Sequence, residues 1–339
     1  MNVNVTVDDF ESVILFSDES QWFTSDPSKN LPFDPAKSPW LVAREYASKF
    51  GERTMLNAPS PGPALFVYGA SGPDYGSYEV SIDGESIVLS AHASFNASSP
   101  HLLYSNSSLS YANHTLKLTN LGAQSTDQGA SKFLFDYLLA TTQLAPSGAT
   151  VTNTTIQETN PRLNFVGNWT TNTPNPAFSG GGSKYTREDG ASVSLTFNGS
   201  AVYIFGDKVN DHGLFNVTLD SRPPQTFNGV AGCGGTFAKA CEKTNTLAFF
   251  AGSLGPEEHT ITVQNIAGIN HSFFDLDDFV VTTPSQYFIP SPITSSSVAS
   301  GTRVQASSTT SRNGDMGTAA PLPFINTMIL VLLGFMWFL

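Results

Sequence analysis

The residues with the most chemistry to offer stand in two short runs, Asp74-Tyr75-Gly76 and Asp211-His212-Gly213, the second preceded by Asp207. An acid beside a ring at a turn suits a sugar. The ring stacks on the apolar face of a pyranose while carboxylates accept its hydroxyls. Tyr75, Trp40, Tyr185 and Trp169 are the candidate rings; Asp74, Asp207 and Asp211 are the candidate acceptors, with His212 beside them. The same Asp-ring-Gly order is a tight-turn signature, which would place Gly76 and Gly213 at positive φ. Both Trp residues also read as core plugs near the start of a domain. No nucleophile elbow, metalloprotease helix, Walker loop or dinucleotide fingerprint occurs, and no catalytic residue is assigned.

Other carboxylates stand where strands begin and end: Asp8 and Asp9, Asp136, and Asp277-Asp278. The first and last strands of a sandwich lie side by side. Asp8, Asp136 and Asp278 are therefore candidate ligands for Ca²⁺, which takes roughly six to eight oxygens. The competing reading has them bonding loop backbone at the strand edge. No other cofactor is expected. Cys233 and Cys241 are the only cysteines. A local disulfide is expected between them in an oxidising compartment, since two thiols without nearby histidine make no zinc cage.

The elements that must position these residues occur twice. Residues 64–83 read ALFVYGASGPDYGSYEVSID and residues 201–220 read AVYIFGDKVNDHGLFNVTLD. Gly69, Gly76 and Asp83 are spaced seven apart, and Gly206, Gly213 and Asp220 repeat that spacing. Downstream, Asn113–Asn120 answers Glu258–Asn265, and Phe135–Leu139 answers Asp277–Val281. A period of roughly 140 residues is too long for a solenoid and fits two domains. The units run 4–142 and 152–284, joined by a Pro/Gly/Ser/Thr linker at 143–151.

Alternation of apolar Phe215, Val217 and Leu219 with polar Asn216 and Thr218 marks a half-buried strand. Ser77–Ile82 alternates likewise, whereas Ala201–Phe205 is apolar throughout, as at the centre of a sandwich. The expected fold class is all-β, two tandem antiparallel β-sandwiches of the jelly-roll kind. One short helix is expected over 39–50, capped by Ser38 with Pro39 at its first position. His114 and His259 share the parity of buried apolar neighbours and read as satisfied strand-end residues.

The net charge of −12 excludes a nucleic-acid binder, because phosphate contacts need a basic face. Nine N-x-S/T sequons occur, at Asn4, Asn96, Asn106, Asn113, Asn153, Asn168, Asn198, Asn216 and Asn270. Residues 285–323 form a Ser/Thr-rich stalk and spacer, followed by an apolar tail at 324–339. The small triplet Asn313-Gly314-Asp315, the spacer and the tail match a lipid-anchor signal with attachment at Asn313. A C-terminal membrane helix is the rival, short for a core that needs roughly 20 residues. Met1–Asp9 shows no leader pattern, so this surface reading expects a leader upstream of Met1.

Taken together, a leading Trp, the AVYIFG strand, the GLFNVTLD hairpin, the EHTITVQN strand and the closing LDDFVV resemble a known group. It comprises fungal, chiefly basidiomycete, surface proteins with tandem galactose-binding-like jelly-roll domains, a Ser/Thr stalk and a membrane segment. The resemblance covers about residues 5–339. Such domains look like the carbohydrate-binding modules appended to polysaccharide-degrading enzymes. The resemblance implies a non-enzymatic glycoprotein, anchored at the cell surface, that binds glycan or packs in the cell wall. An adhesion spacer without a small ligand is the alternative. A hydrolase or lyase would need two carboxylates converging at about 5–10 Å.

Overall fold

The computed structural model describes residues 1–15, 44–45, 64–97, 100–111, 114–231 and 242–288. Trp22, Trp40, Asn113, Cys233, Cys241, Asn313, the apolar tail and nearly all of the stalk lie outside them. Among the described residues, no helix is long and apolar enough to cross a membrane.

The first half contains β1 (Asn2–Asp8), β2 (Arg44–Glu45), β3 (Leu65–Gly69), β4 (Ser77–Ile82), β5 (Glu85–Ser90), β6 (His101–Asn106), β7 (Leu116–Gly122) and β8 (Leu134–Gln143). These form one sheet of order β1-β8-β3-β6, with β2 also on β8, and a second of order β5-β4-β7. The second half contains β9 (Val151–Gln157), β10 (Asn164–Val166), β11 (Thr170–Asn172), β12 (Ser183–Thr186), β13 (Ser192–Phe197), β14 (Ala201–Lys208), β15 (Leu214–Leu219), β16 (Gln225–Asn228), β17 (Lys243–Gly252), β18 (His259–Ile266) and β19 (Phe274–Pro284). Its sheets run β11-β12-β19-β14-β17, with β9 also on β19, and β10-β13-β18-β15-β16. The pairings between these strands are antiparallel, and the described residues are all-β as expected. Arg44–Glu45 is a strand pairing Phe135 and Leu134, which corrects the expected helix there; its other positions lie outside the described residues.

Each half is a sandwich because each pair of sheets closes on one apolar layer. In the first, Val5, Val67, Phe135 and Leu138 of the larger sheet meet Tyr78, Val80, Leu116 and Leu118 of the smaller. In the second, Val202, Ile204, Phe249, Leu276 and Phe279 meet Val193, Leu195, Phe215, Val217, Ile261 and Val263. At roughly 25 cal/mol per Å² of buried apolar surface, these layers are the main force holding the sheets together.

The unbroken apolar run in β14 has a further cause. Val202 and Ile204 enter the second core, whereas Ala201, Tyr203 and Phe205 on the opposite face pack with Leu247 and Phe250 against the first. Side chains alternate across a strand, so a strand buried on both faces carries no polar position. Met1–Pro290 is accordingly one compact unit.

The repeated glycines are explained by crowding at equivalent places. Gly69 pairs Phe135 and Gly206 pairs Leu276, each next to a bulge that skips one residue, Asp136 or Asp277. A Cβ on Gly69 would lie 2.0 Å from the Leu134 carbonyl oxygen, and one on Gly206 would lie 2.3 Å from that of Asp275. Gly76 and Gly213 face the same problem, against the Ala130 carbonyl at 2.4 Å and the Ser272 hydroxyl at 2.1 Å. Neither adopts positive φ, contrary to the turn expectation; Asp83 (φ 54°) and Asp220 (φ 55°) do.

Candidate functional site

The cleft of interest lies at one end of the larger sheet of the second half. Its floor is the end of β14, Asp207, beside Asp275 of β19. Past β14, a loop is held by isolated parallel bridges between Val209 and Val230 and between His212 and Phe273. The Phe273 amide donates to the Asp211 carbonyl at 3.0 Å, and the Gly213 amide donates to the Phe273 carbonyl at 3.2 Å. These bonds turn the His212 side chain inward, where it is 6% exposed.

His212 stands between two carboxylates. Nδ1 lies 3.0 Å from Asp211 Oδ1 and Nε2 lies 2.8 Å from Asp207 Oδ1. The second contact is a buried ion pair. Burial pulls the imidazole pKa down, but the Asp207 charge and the flanking hydrogen bonds outweigh it and carry it up to about 10. The ring is an imidazolium at neutral pH. Asp211 is lowered, chiefly by the bond from His212.

Asp275 is the exception in this group. The Ser183 hydroxyl of β12 donates to Oδ2 at 3.1 Å, but among the described residues no hydrogen-bond donor reaches the buried Oδ1. Burial and then the neighbouring Asp207 charge push this carboxyl well above the carboxylate range. Tyr185 of β12 pairs Asp275 across the ladder, and its ring lies 5.8 Å from that of Phe273 at 60°. Asn172 of β11 donates to the Ser183 hydroxyl at 3.3 Å and lines the cleft with Asn175 and Glu242. The cleft's volume is about 400 Å³.

The structure brings Asp207, Asp211 and His212 together with the candidate ring Tyr185, and leaves Asp74 and Tyr75 apart from them. Asp74 is an exposed partner of Lys132 at 3.3 Å, and Tyr75 packs on the first core. Strand register explains the inequality. Positions equivalent to Asp207 and Asp275 hold Ala70 and Leu134, so the first half has an apolar patch where the second has an ionic one. Asp275, Phe273, Asn172, Asn175 and Glu242 were not anticipated. The one signal for Asp275 was its departure from Leu134 within the repeat.

Trp169 serves the second core, edge-on to Phe165 at 5.1 Å and Phe274 at 6.4 Å. A second groove of about 820 Å³ shares Tyr185 and Phe273 and is lined by Asn168, Arg187, Glu188 and His271. The sequon Asn168 donates from its amide side chain to Glu188 there. Asn4, Asn96, Asn153, Asn168, Asn198 and Asn270 are exposed, and Asn106 and Asn216 are half-buried.

Of the Ca²⁺ candidates, Asp8 and Asp136 sit on adjoining strands of the first half and Asp278 on a sheet of the second, so the three make no single site. Asp8 pairs with Lys243 at 3.3 Å. Burial, then the Asp8 charge, raises Asp136 to about 6. Among the described residues, no group of three or more His, Cys, Asp or Glu side chains could hold a metal ion.

No family model matches the chain, and no curated protein sequence matches it. Among solved structures it is similar to a family two carbohydrate esterase from Cellvibrio japonicus, at 18% identity and TM-score 0.29, over 41% of this chain and 37% of that one. A Paenibacillus xanthan lyase aligns at 13% identity and TM-score 0.28, over 82% of this chain and 26% of that one. A Podospora anserina GH26-CBM35 β-(1,4)-mannanase aligns at 16% identity and TM-score 0.26, over 41% and 29%. The chain spans well under two thirds of the length of each.

Proposed function

We propose that this protein is a non-enzymatic carbohydrate-binding module, presented at the cell surface on its C-terminal stalk, and that the second sandwich carries the sugar site. The observation that carries the reading is the convergence of Asp207, Asp211, His212 and Asp275 with the Tyr185 ring in one cleft of about 400 Å³. Ring and acceptors meet there as sugar recognition requires, within the usual size range of small-molecule sites. Binding is favoured over general-base chemistry by His212, which has carboxylates against both ring nitrogens and, as an imidazolium, no lone pair to take a proton. The first sandwich serves as a support that buries one face of β14 and β17.

The test is a screen of the full-length chain against a glycan array and insoluble cell-wall polysaccharides, with and without Ca²⁺. Saturable binding that Asp211→Ala/His212→Ala removes and Asp74→Ala/Tyr75→Ala leaves intact is the expected result. A folded protein that binds no glycan overturns the reading in favour of a spacer.

A further inference from the structure

We infer that the groove of about 820 Å³ beside Tyr185 is the seat of the chain's own N-linked glycan, carried on Asn168, with its first N-acetylglucosamine packed on the Tyr185 ring. This rests on the cell-surface reading above, since the sugar donor is met in the secretory pathway.

Position carries the inference. Asn168-Trp169-Thr170 is one of the nine sequons, and both Asn168 and Thr170 line the groove, together with Tyr185, Arg187, Glu188 and His271. Asn168 is exposed, and its backbone is held on both sides. Its amide donates to Glu188 Oε2 at 2.9 Å, and its carbonyl accepts the Thr186 hydroxyl at 2.8 Å. The side-chain nitrogen donates to the same Glu188 oxygen. An amide nitrogen carries two hydrogens, so glycosylation consumes one and leaves the other for Glu188. In that step Nδ2 bonds to C1 of the sugar, the C1–O bond to a lipid-diphosphate donor breaks, and one amide proton leaves with the diphosphate. The Glu188 bond survives the modification and fixes the direction of the new linkage.

What the groove offers suits that occupant. N-acetylglucosamine brings an apolar ring face and an acetamide methyl to Tyr185, whose ring lies 5.8 Å from that of Phe273. Arg187 and His271, both exposed, supply donors for its hydroxyls and its acetamide carbonyl. A sugar tethered to the groove's own lining has an effective concentration of about millimolar there, so an untethered glycan competes at a disadvantage. Asn153 and Asn198 serve as internal references, because both are exposed sequons that do not line the groove.

The full-length chain would be secreted from a eukaryotic host behind an added leader, and glycopeptide mass spectrometry would read occupancy at each sequon. Asn168 should be occupied. Under native conditions an N-glycan-releasing amidase should strip Asn153 and Asn198 at least tenfold faster than Asn168, and denaturation should abolish the difference. Tyr185→Ala should raise the Asn168 rate to that of the references. Thermal melts would show that the variant is folded; if it does not fold, the contrast between native and denatured wild type decides alone. Native release from Asn168 as fast as from the references overturns the seat. An empty Asn168 beside occupied references overturns the inference and leaves the surface reading standing. No glycan at any sequon overturns the surface reading and the inference together.

Discussion

Asp220 and His259 form a staple that Asp83 and His114 reproduce atom for atom. His259 Nδ1 meets Asp220 Oδ2 at 3.0 Å and Nε2 meets the Gly255 carbonyl at 3.2 Å. In the first half, His114 Nδ1 meets Asp83 Oδ2 at 2.6 Å and Nε2 meets the Ser110 carbonyl at 2.9 Å. Each Asp takes the amide of the residue after its His on Oδ1, from Thr260 at 2.9 Å and Thr115 at 2.7 Å. The Asp must also adopt positive φ, which Asp and Asn tolerate better than most residues. The motif pins the end of one hairpin to the start of the next core strand.

Asp220→Ala should therefore cost about 2 kcal/mol, from lost charge-assisted bonds to a buried His and from strained backbone. Asp83→Ala should cost less, because Asp83 is 47% exposed against 31% for Asp220. Urea unfolding of both variants measures the difference; equal losses would show that burial does not set the value of the staple.

The bulge carboxylates should make stability fall as pH rises. Burial raises Asp277 from the ordinary 3.8 to about 7 and Asp136 to about 6. A carboxyl raised on folding holds its proton more tightly in the native state. Its contribution is complete below pH 3.8 and is lost as pH climbs through the folded value. Between pH 4 and 7 these two groups slope stability downward, against the lowered Asp83, Asp127 and Asp220, which stabilise above the ordinary 3.8. Asp277→Asn should flatten the downward component and raise the melting temperature at pH 8 relative to wild type. A pH series of melts checks it, and an unchanged slope would contradict the assignment.

His212 should act in the opposite sense to a buried neutral histidine. Its pKa is raised from 6.5 to about 10, so its stabilisation is complete below pH 6.5 and is lost as pH rises through about 10. His212→Ala leaves Asp207 beside Asp275 with the imidazolium gone, a loss of about 3–5 kcal/mol at pH 7. Lowering the pH to 5 should return part of it, because the Asp275 carboxyl, raised by burial and by its like-charged neighbour, takes up its proton there. Denaturant midpoints at pH 5, 7 and 9 distinguish this from simple loss of packing, which would not vary with pH.

Two glycines with similar close contacts should respond differently to alanine. Gly206 faces the Asp275 backbone oxygen at 2.3 Å, which cannot withdraw without breaking the β14–β19 ladder. Gly255 faces Glu257 Oε2 at 2.1 Å, the far end of a flexible side chain. Gly206→Ala should lose about 3 kcal/mol and Gly255→Ala at most about 0.5 kcal/mol. Thermal melts of the pair provide the comparison.

Local pattern carried the fold a long way. Alternation in residues 77–82 and 214–219 placed two hairpin strands; 214–219 buries with period two as expected, whereas β4 buries Ser77 and Ser81 along with Tyr78 and Val80. The doubled Gly-Gly-Asp spacing revealed the repeat, since the same crowding at the bulges and the same staple must be met twice. The staple histidines were legible from parity alone. Pattern did not reveal why β14 is apolar on both faces, because the first core that covers it comes mainly from the other half of the chain. The turn glycines have a related cause: what they avoid is a carbonyl or hydroxyl brought close by a loop distant in sequence.

The functional inequality of the two halves was the least legible feature. Asp74-Tyr75 and Asp211-His212 look equivalent in one dimension, and composition marks both as candidate sugar contacts. Their difference depends on Ala70 against Asp207 and Leu134 against Asp275, substitutions on strands that meet only through long-range pairing. Once β14 and β19 are zipped together, Asp207 and Asp275 share one end of a sheet beside His212, where burial and the Asp207 charge push the Asp275 carboxyl well above the carboxylate range. Sequence supplied the residue types; proximity and desolvation, which arise only when distant strands pack, made a cleft of them in one half and left the half-buried Ala70 and Leu134 in the other.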